Sequence, residues 1–313
     1  MPKETAGKAT RDKIRAKVQT KVQTKVQTKV QTTVRTNIRV LVDMGNTRLK
    51  WSYYEPNRQQ ISPMQAIAYA EHTPIQTFRQ FLQTLQQNHP STDQLSLVLV
   101  LVHVLGDSTQ QAIDQICKTQ NIHLLPVHST QSIQYNIHLA YQNAAHYGAD
   151  RFVGLLAAHH YYPKQWCLVV DCGTAITVDL IDPQGQHQGG LILAGLSLCQ
   201  QRLLDKAQGL SHIRTMTQQT AIPTANIFAD NTQAGIINGC LYSTVATITS
   251  VYDACLQAPW QLSSDQLVAV ICGGDAAQLH PLLQRPFVLQ ADLLMLGLGW
   301  VAQQQGTSFK QSS

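Results

Sequence analysis

From Ile38 onward the apolar positions of this chain recur with a period of two in some stretches and of three to four in others, whereas the first 37 residues offer only isolated apolar residues, among them five valines four residues apart. Ile38-Arg-Val-Leu-Val42 and Trp166-Cys-Leu-Val-Val170 are apolar, β-branched runs that read as strands. Each ends in an acidic glycine turn and resumes as a second strand-like run, so each turn is the tight corner of a hairpin. Thr73-Pro74 marks a helix start, and Ile75, Phe78, Leu82 and Leu85 keep helical spacing until Asn88-His-Pro90 stops it. A buried strand at 95–105, a helix opened by Asp107 or Ser108, and a strand at 122–127 follow. A helix starting near Gly148 covers Phe152 to His160. Strands are predicted at 166–172, 176–181 and 187–193, with Asp182-Pro-Gln-Gly185 turning between the last two. In a long helix over 233–256, Ala234, Ile237, Leu241, Val245, Ile248 and Tyr252 share one face. A strand at 266–272, the corner Gly273-Gly-Asp275 and two terminal helices complete the pattern.

The order of hairpin, helix, strand, helix, strand therefore occurs twice, each time opened by an acidic glycine turn. That repetition predicts an α/β protein of two related lobes, 38–147 and 148–305, with a cleft between them in which ligands bind. At 313 residues the chain has room for a core in each lobe. Residues 306–313 read as a short tail.

The N-terminal segment is of another kind. Lys17-Val-Gln-Thr20 repeats unchanged at 21–24, 25–28 and 29–32 and decays into Thr33-Val-Arg-Thr36. One apolar residue in four buries too little surface to offset the entropy of ordering, so residues 1–37 are expected to be a disordered basic tail. Residues 1–38 hold ten Lys or Arg against Glu4 and Asp12, a net +8, which leaves −3 for the remainder of a chain whose total is +5. The folded part thus has no broad basic face and no specific nucleic-acid partner is expected, although the tail can attract anionic surfaces weakly. The longest apolar run, Leu95 to Leu105, falls short of the roughly 18 residues of a membrane span. Seven cysteines, odd in number and without CxxC spacing, are expected as buried thiols in a reducing cytoplasm. The twelve histidines show no metal-ligand spacing.

The candidate chemistry sits in the turns. In Asp43-Met-Gly-Asn-Thr47, Gly45 lets backbone amides approach an anion, Asn46 and Thr47 add donors, and Lys50 adds a positive charge. Asp43 and Asp171, at the two strand ends, are candidates to hold a cation, and Gly173 and Thr174 to contact a nucleotide. Gly273-Gly-Asp275 suits a ribose or adenine lying close to backbone. In Gly148-Ala-Asp-Arg151 a carboxylate stands beside a guanidinium where a helix begins. Asp150 is placed to take a proton from an attacking hydroxyl, and Arg151 to grip a substrate carboxylate with both arms. Read alone, each turn is equally an ordinary Asx-type corner, and Asp150 an ordinary helix-dipole partner.

Taken together, DMGNTRLKW at 43–51, Tyr141 nine residues before the Asp of GADR at 148–151, DCGTAIT at 171–177, GGLILAG at 189–195, NTQAGIINGC at 231–240 and CGGDA at 272–276 resemble the type III pantothenate kinases. These belong to the superfamily of acetate and sugar kinases, Hsp70 and actin. The resemblance implies a duplicated actin-like ATPase fold of two ribonuclease H-like lobes, and ATP-dependent phosphorylation of pantothenate to 4′-phosphopantothenate, the first step of coenzyme A biosynthesis. It implies that Asp43, Met44, Gly45, Asn46, Thr47, Arg48, Leu49 and Lys50 bind ATP together with Thr174, that Asp150 is the general base, and that Tyr141, Gly148, Ala149, Asp150, Arg151 and Thr232 bind pantothenate. It further implies magnesium, a monovalent cation (potassium or ammonium) on Asp171, and a cytoplasmic homodimer in which Thr232 serves the site from the partner's side. The sequence departs from the family pattern at Asn143-Ala144, Phe152 and Ala194, positions of loop stiffness and packing rather than chemistry. The alternatives are a sugar kinase of the same superfamily and a non-catalytic regulator on the same fold. Retention of Asp43, Asp150 and Asp171 weighs against the second.

Overall fold

The computed structural model describes residues 36–89, 95–206 and 227–308. The Lys-Val-Gln-Thr repeat and the expected tail up to residue 35 lie outside the described residues, while Thr36 and Asn37, counted with that tail, open the first strand instead. The elements discussed below belong to a compact unit comprising Ile38–Pro90 and Leu97–Ser313.

The first acidic turn does join a hairpin. β1 (Thr36–Met44) pairs antiparallel with β2 (Arg48–Glu55), with Asp43 opposite Lys50. Two short strands that the pattern did not announce, β3 (Gln60–Ile61) and β4 (Gln65–Ala68), pair with β2. Both are too short and too exposed to show an alternating pattern. α1 (Pro74–Asn88) starts as expected, with Pro74 in its first turn and a capping box in which Thr73 Oγ1 accepts from Gln76 N and Gln76 Oε1 accepts from Thr73 N. β5 (Leu95–His103), α2 (Asp107–Thr119) and β6 (His123–Pro126) finish a sheet ordered β3-β2-β1-β5-β6, with β4 also on β2. α2 begins at Asp107 as expected, with Gly106, at φ 82°, as the cap before it.

After α3 (Ala149–Tyr161) the second hairpin forms from β7 (Trp166–Cys172) and β8 (Ala175–Ile181), continued by β9 (His187–Ala194). α4 (Leu196–Lys206) and α5 (Thr232–Cys255) follow, then β10 (Leu267–Cys272), α6 (Ala276–Leu279), β11 (Phe287–Leu289) and α7 (Leu293–Ser308). β11 is a further strand absent from the sequence pattern, three residues paired parallel to β10. α7 continues through Ser308, into the stretch read as a tail. The second sheet runs β9-β8-β7-β10-β11, which repeats the path of the first sheet once the extra strand β4 is set aside.

Period-two alternation sends the two faces of each sheet to different cores. In β1, Val40, Val42 and Met44 pack with Phe78, Leu82 and Ile113 of α1 and α2. Leu41 faces the other way, into a central layer built on α3 and α7 that also receives Cys167, Val169 and Ile181 from the second sheet. Leu168, Val170, Ile176 and Val178 pack outward with Leu241, Ile248 and Tyr252 of α5. α3 is buried all round from Arg151 to Ala158, as a helix between two sheets must be.

The buried face of α5 keeps Leu241, Ile248 and Tyr252 of the predicted one and adds Asn238, Cys240, Thr244 and Cys255, while Ala234, Ile237 and Val245 are only half-buried. Ile248→Ala should therefore lower unfolding free energy by about 2–5 kcal/mol in a urea titration, and Ile237→Ala by clearly less.

Candidate active site

Alternation also aims the acids. Asp43 shares the face of Leu41 on β1, and Asp171 shares the face of Cys167 and Val169 on β7, so both carboxylates enter the central layer at the ends of their strands. Asp150 stands there too, in the first turn of α3. The two turns meet directly, Thr47 Oγ1 lying 3.4 Å from Thr174 Oγ1. Tyr69 braces the first turn by donating its hydroxyl to Gly45 O at 2.9 Å and its amide to Thr47 O at 3.1 Å. Gly195 N donates to Thr174 O at 3.1 Å, and Asp275 N to Cys172 O at 3.0 Å, which ties the third glycine corner to the second turn. Gly273 is required at that corner. Its φ is 93°, and a side chain there would strike the Asp171 carboxylate and the Cys172 backbone.

Lys50 Nζ bonds Asp43 Oδ2 at 3.1 Å. Burial works against the ammonium charge, but Asp43 and then Asp171 more than offset it, so Lys50 holds its proton more tightly than usual. Asp171 is pushed up to about 7, first by burial and then by the charges of Asp150, Asp43 and Asp179, against the pull of Lys50. Asp150 is raised as well, by burial above all, while the Arg151 backbone N–H at 2.7 Å draws it down. Both carboxyls are thus raised by burial first and by the charges of neighbouring acids second. That condition fits a cation. Among the described residues no three His, Cys, Asp or Glu side chains lie close enough to cage a metal, in keeping with an ion that retains waters and shares its ligands with phosphate.

The substrate-side residues are organised by one the sequence pattern did not single out. Arg151, expected to offer both arms to a substrate carboxylate, instead spends them on Asp179, Nη2 to Oδ1 at 2.6 Å and Nε to Oδ2 at 2.9 Å, inside the protein. Its remaining arm, Nη1, donates to Tyr141 Oη at 3.1 Å. His187 Nε2 lies 3.0 Å from Asp179 Oδ1, and the guanidinium carbon lies 4.6 Å from the ring centre of buried Tyr147. Gly190, opposite Asp179 on β9, makes room for this pair, since a Cβ there would lie 2.8 Å from Arg151 Nη2 and closer still to Asp179. Tyr141 is reached through a segment stitched to the β8–β9 turn, His138 N donating to Gly185 O and His187 N to His138 O. One signal for Asp179 was available: an acid at an inward position of an otherwise apolar strand. Thr232 stands apart, exposed in the first turn of α5 behind the Asn231 cap.

Two related sheets of identical strand order, with acidic glycine turns facing one another, define an actin-like nucleotide-binding fold. Among solved structures, MreB 5 of Spiroplasma citri bound to AMPPNP superimposes with a TM-score of 0.50 at 10% identity, over 89% of this chain and 99% of that one. A Campylobacter jejuni protein described as a Baf family transcriptional activator gives 0.50 at 17% identity, over 86% and 99%. The family model for type III pantothenate kinase matches residues 39–254. The type III pantothenate kinase of Nitrosococcus oceani is 31% identical over 269 residues, 84% of this chain and 93% of that protein. That of Janthinobacterium sp. (strain Marseille) is 30% identical over 272 residues, 84% and 96%. The chain belongs to the type III pantothenate kinase family, and as such it is a kinase that uses ATP and a divalent cation.

A carboxyl whose folded pKa is raised leaves the native state holding a proton the unfolded chain has released, so stability falls as pH rises between the two values. With neither nucleotide nor metal added, thermal stability should decline from about pH 4 to about pH 7 through Asp171 and level off above. Asp171→Asn should flatten that decline in calorimetric scans and raise Tm at pH 8.

Proposed function

We propose that the chain transfers the γ-phosphoryl group of ATP to the primary hydroxyl of pantothenate, giving 4′-phosphopantothenate at the head of coenzyme A biosynthesis, and that it does so in the cytoplasm. The observation that carries this reading is the meeting of Asp150 with Asp43, Asp171 and Lys50 at one end of the central layer, beside a buried Arg151–Tyr141 pair. Asp150 takes the hydroxyl proton. Its raised pKa supports that role, because a carboxylate near its titration range accepts a proton more readily than one held far below it. The turn from Asp43 to Lys50 and Thr174 hold the phosphates, Lys50 adding a fixed charge. Magnesium, when bound near Asp43, neutralises phosphate charge. A monovalent cation, potassium or ammonium, sits on Asp171, whose acidic neighbours support the assignment. Tyr141, Gly148, Ala149 and Arg151 line the pantothenate pocket.

The active form is a homodimer. Large apolar side chains stand exposed along β9, α4 and α5, among them Ile192 at 63%, Leu203 at 52% and Tyr242 at 60%, with Phe228 at 81% just before α5. α5 is also the one described helix long and apolar enough, at a mean hydropathy of 1.2, to cross a membrane, yet only 22% of that window is buried within the chain. A second copy covering this face accounts for the remainder. Thr232, on the same helix, then serves the partner's site.

Purified protein given ATP, magnesium and potassium should release ADP with pantothenate and not with a panel of sugars; turnover of a sugar instead would discard the substrate. Asp150→Asn should still fold and bind ATP while losing roughly 10²–10⁴-fold or more in kcat. Replacing potassium by sodium should abolish most activity, and full activity in sodium would remove the cation from Asp171.

A further inference from the structure

The hydrogen bonds around Arg151 run in a single direction. The Ala140 N–H points at His187 Nδ1 at 3.4 Å, which makes Nδ1 the acceptor and leaves the imidazole proton on Nε2. That proton is donated to Asp179 Oδ1 at 3.0 Å. Asp179, an acceptor only, also takes Nη2 and Nε of Arg151, so both of its oxygens are engaged. The guanidinium has no acceptor of its own and passes its third donor, Nη1, to Tyr141 Oη. A phenol oxygen that accepts in this way keeps its own proton to give. Tyr141, only partly buried, therefore faces its pocket as a donor.

Packing holds each ring in that role. Tyr141 stacks on His187 with 6.3 Å between ring centres and 20° between planes, and Tyr147 lies 5.0 Å from both rings. Asp179 is 3% exposed and His187 4%, so neither reaches a ligand directly. The fork on Asp179 has a second effect. It turns the guanidinium away from Asp150, its chain neighbour, whose carboxylate receives only the Arg151 backbone N–H from that residue.

We infer that Asp179 and His187 are positioning residues for the substrate pocket: they hold Arg151 so that Tyr141 meets the substrate as a hydrogen-bond donor, which selects for a carbonyl or carboxylate oxygen at that point. The inference rests on the pantothenate reading, since that molecule carries both kinds of oxygen beyond its reacting hydroxyl. A hydroxyl-only substrate such as a sugar gains less from a fixed donor backed by positive charge.

The test is a double-mutant cycle in steady-state kinetics, with pantothenate varied at saturating ATP. Tyr141→Phe should raise KM for pantothenate about tenfold, the factor that corresponds to one hydrogen bond. Asp179→Asn should raise it by a similar factor with KM for ATP changed less than about twofold, and the double variant should be no worse than either single one. Independent losses multiplying to about a hundredfold would overturn the inference, as would an Asp179→Asn variant that loses kcat alone in proportion to its unfolded fraction. Where Asp179→Asn does not fold, His187→Phe keeps the ring stack and removes both polar contacts, while His187→Gln restores a donor and an acceptor. KM should rise in the first and recover in the second, and equal KM in both would overturn the proposal. No pantothenate-dependent turnover in the native protein would sink the substrate reading and the inference together. Native turnover with a multiplicative double variant would sink the inference alone.

Discussion

Placing a guanidinium inside a helix that is buried between two sheets costs several kcal/mol in lost hydration, a cost that only a well-oriented counter-ion offsets. Arg151 meets it through the bidentate bond to Asp179, itself anchored by His187 and given space by Gly190. Buried pairs of this kind add little net stability compared with apolar packing of equal volume, so its presence is better explained by what it orients. Through it the start of α3, the loop carrying Tyr141 and two strands of the second sheet are held in one arrangement. Asp150, one residue away, inherits its position from the same anchor.

The charge balance follows from that arrangement. With Arg151 committed to Asp179, Asp43 and Asp171 have Lys50 as their nearby cation, and Asp150 feels the Arg151 charge only from the side. Burial first, and the charges of neighbouring acids second, make Asp150 and Asp171 hold their protons above the ordinary carboxylate range. A cation held at these acids would offset their mutual repulsion. The same logic ties the glycines to function. Gly273 and Gly190 stand where a side chain would collide with Asp171 and Asp179, the two acids that the second sheet turns inward.

Much of this was legible before any coordinates. The hairpins, the helix opened by Thr73-Pro74 and the succession of elements repeated along the chain came from runs long enough to show their period. What escaped notice was short or depended on distant partners. β3, β4 and β11 have two to four residues each, too few for alternation to register. The packed stripe of α5 includes Asn238 and Thr244 and leaves Ile237 half-buried, because a hydropathy pattern carries no information about the neighbour a helix packs on.

The sequence by itself determined the class of the molecule. Acidic glycine turns at strand ends, repeated with the elements around them, leave few folds and few chemistries open, since period and turn chemistry are local properties of the chain. The tertiary structure alone decided which partner each charged group has. Arg151 adjoins Asp150 in the chain yet bonds Asp179, 28 residues away, and Thr47 meets Thr174 across 127 residues. A buried charge pairs with whatever acceptor the packing of two sheets brings to it, and that choice belongs to the three-dimensional arrangement rather than to any stretch of residues.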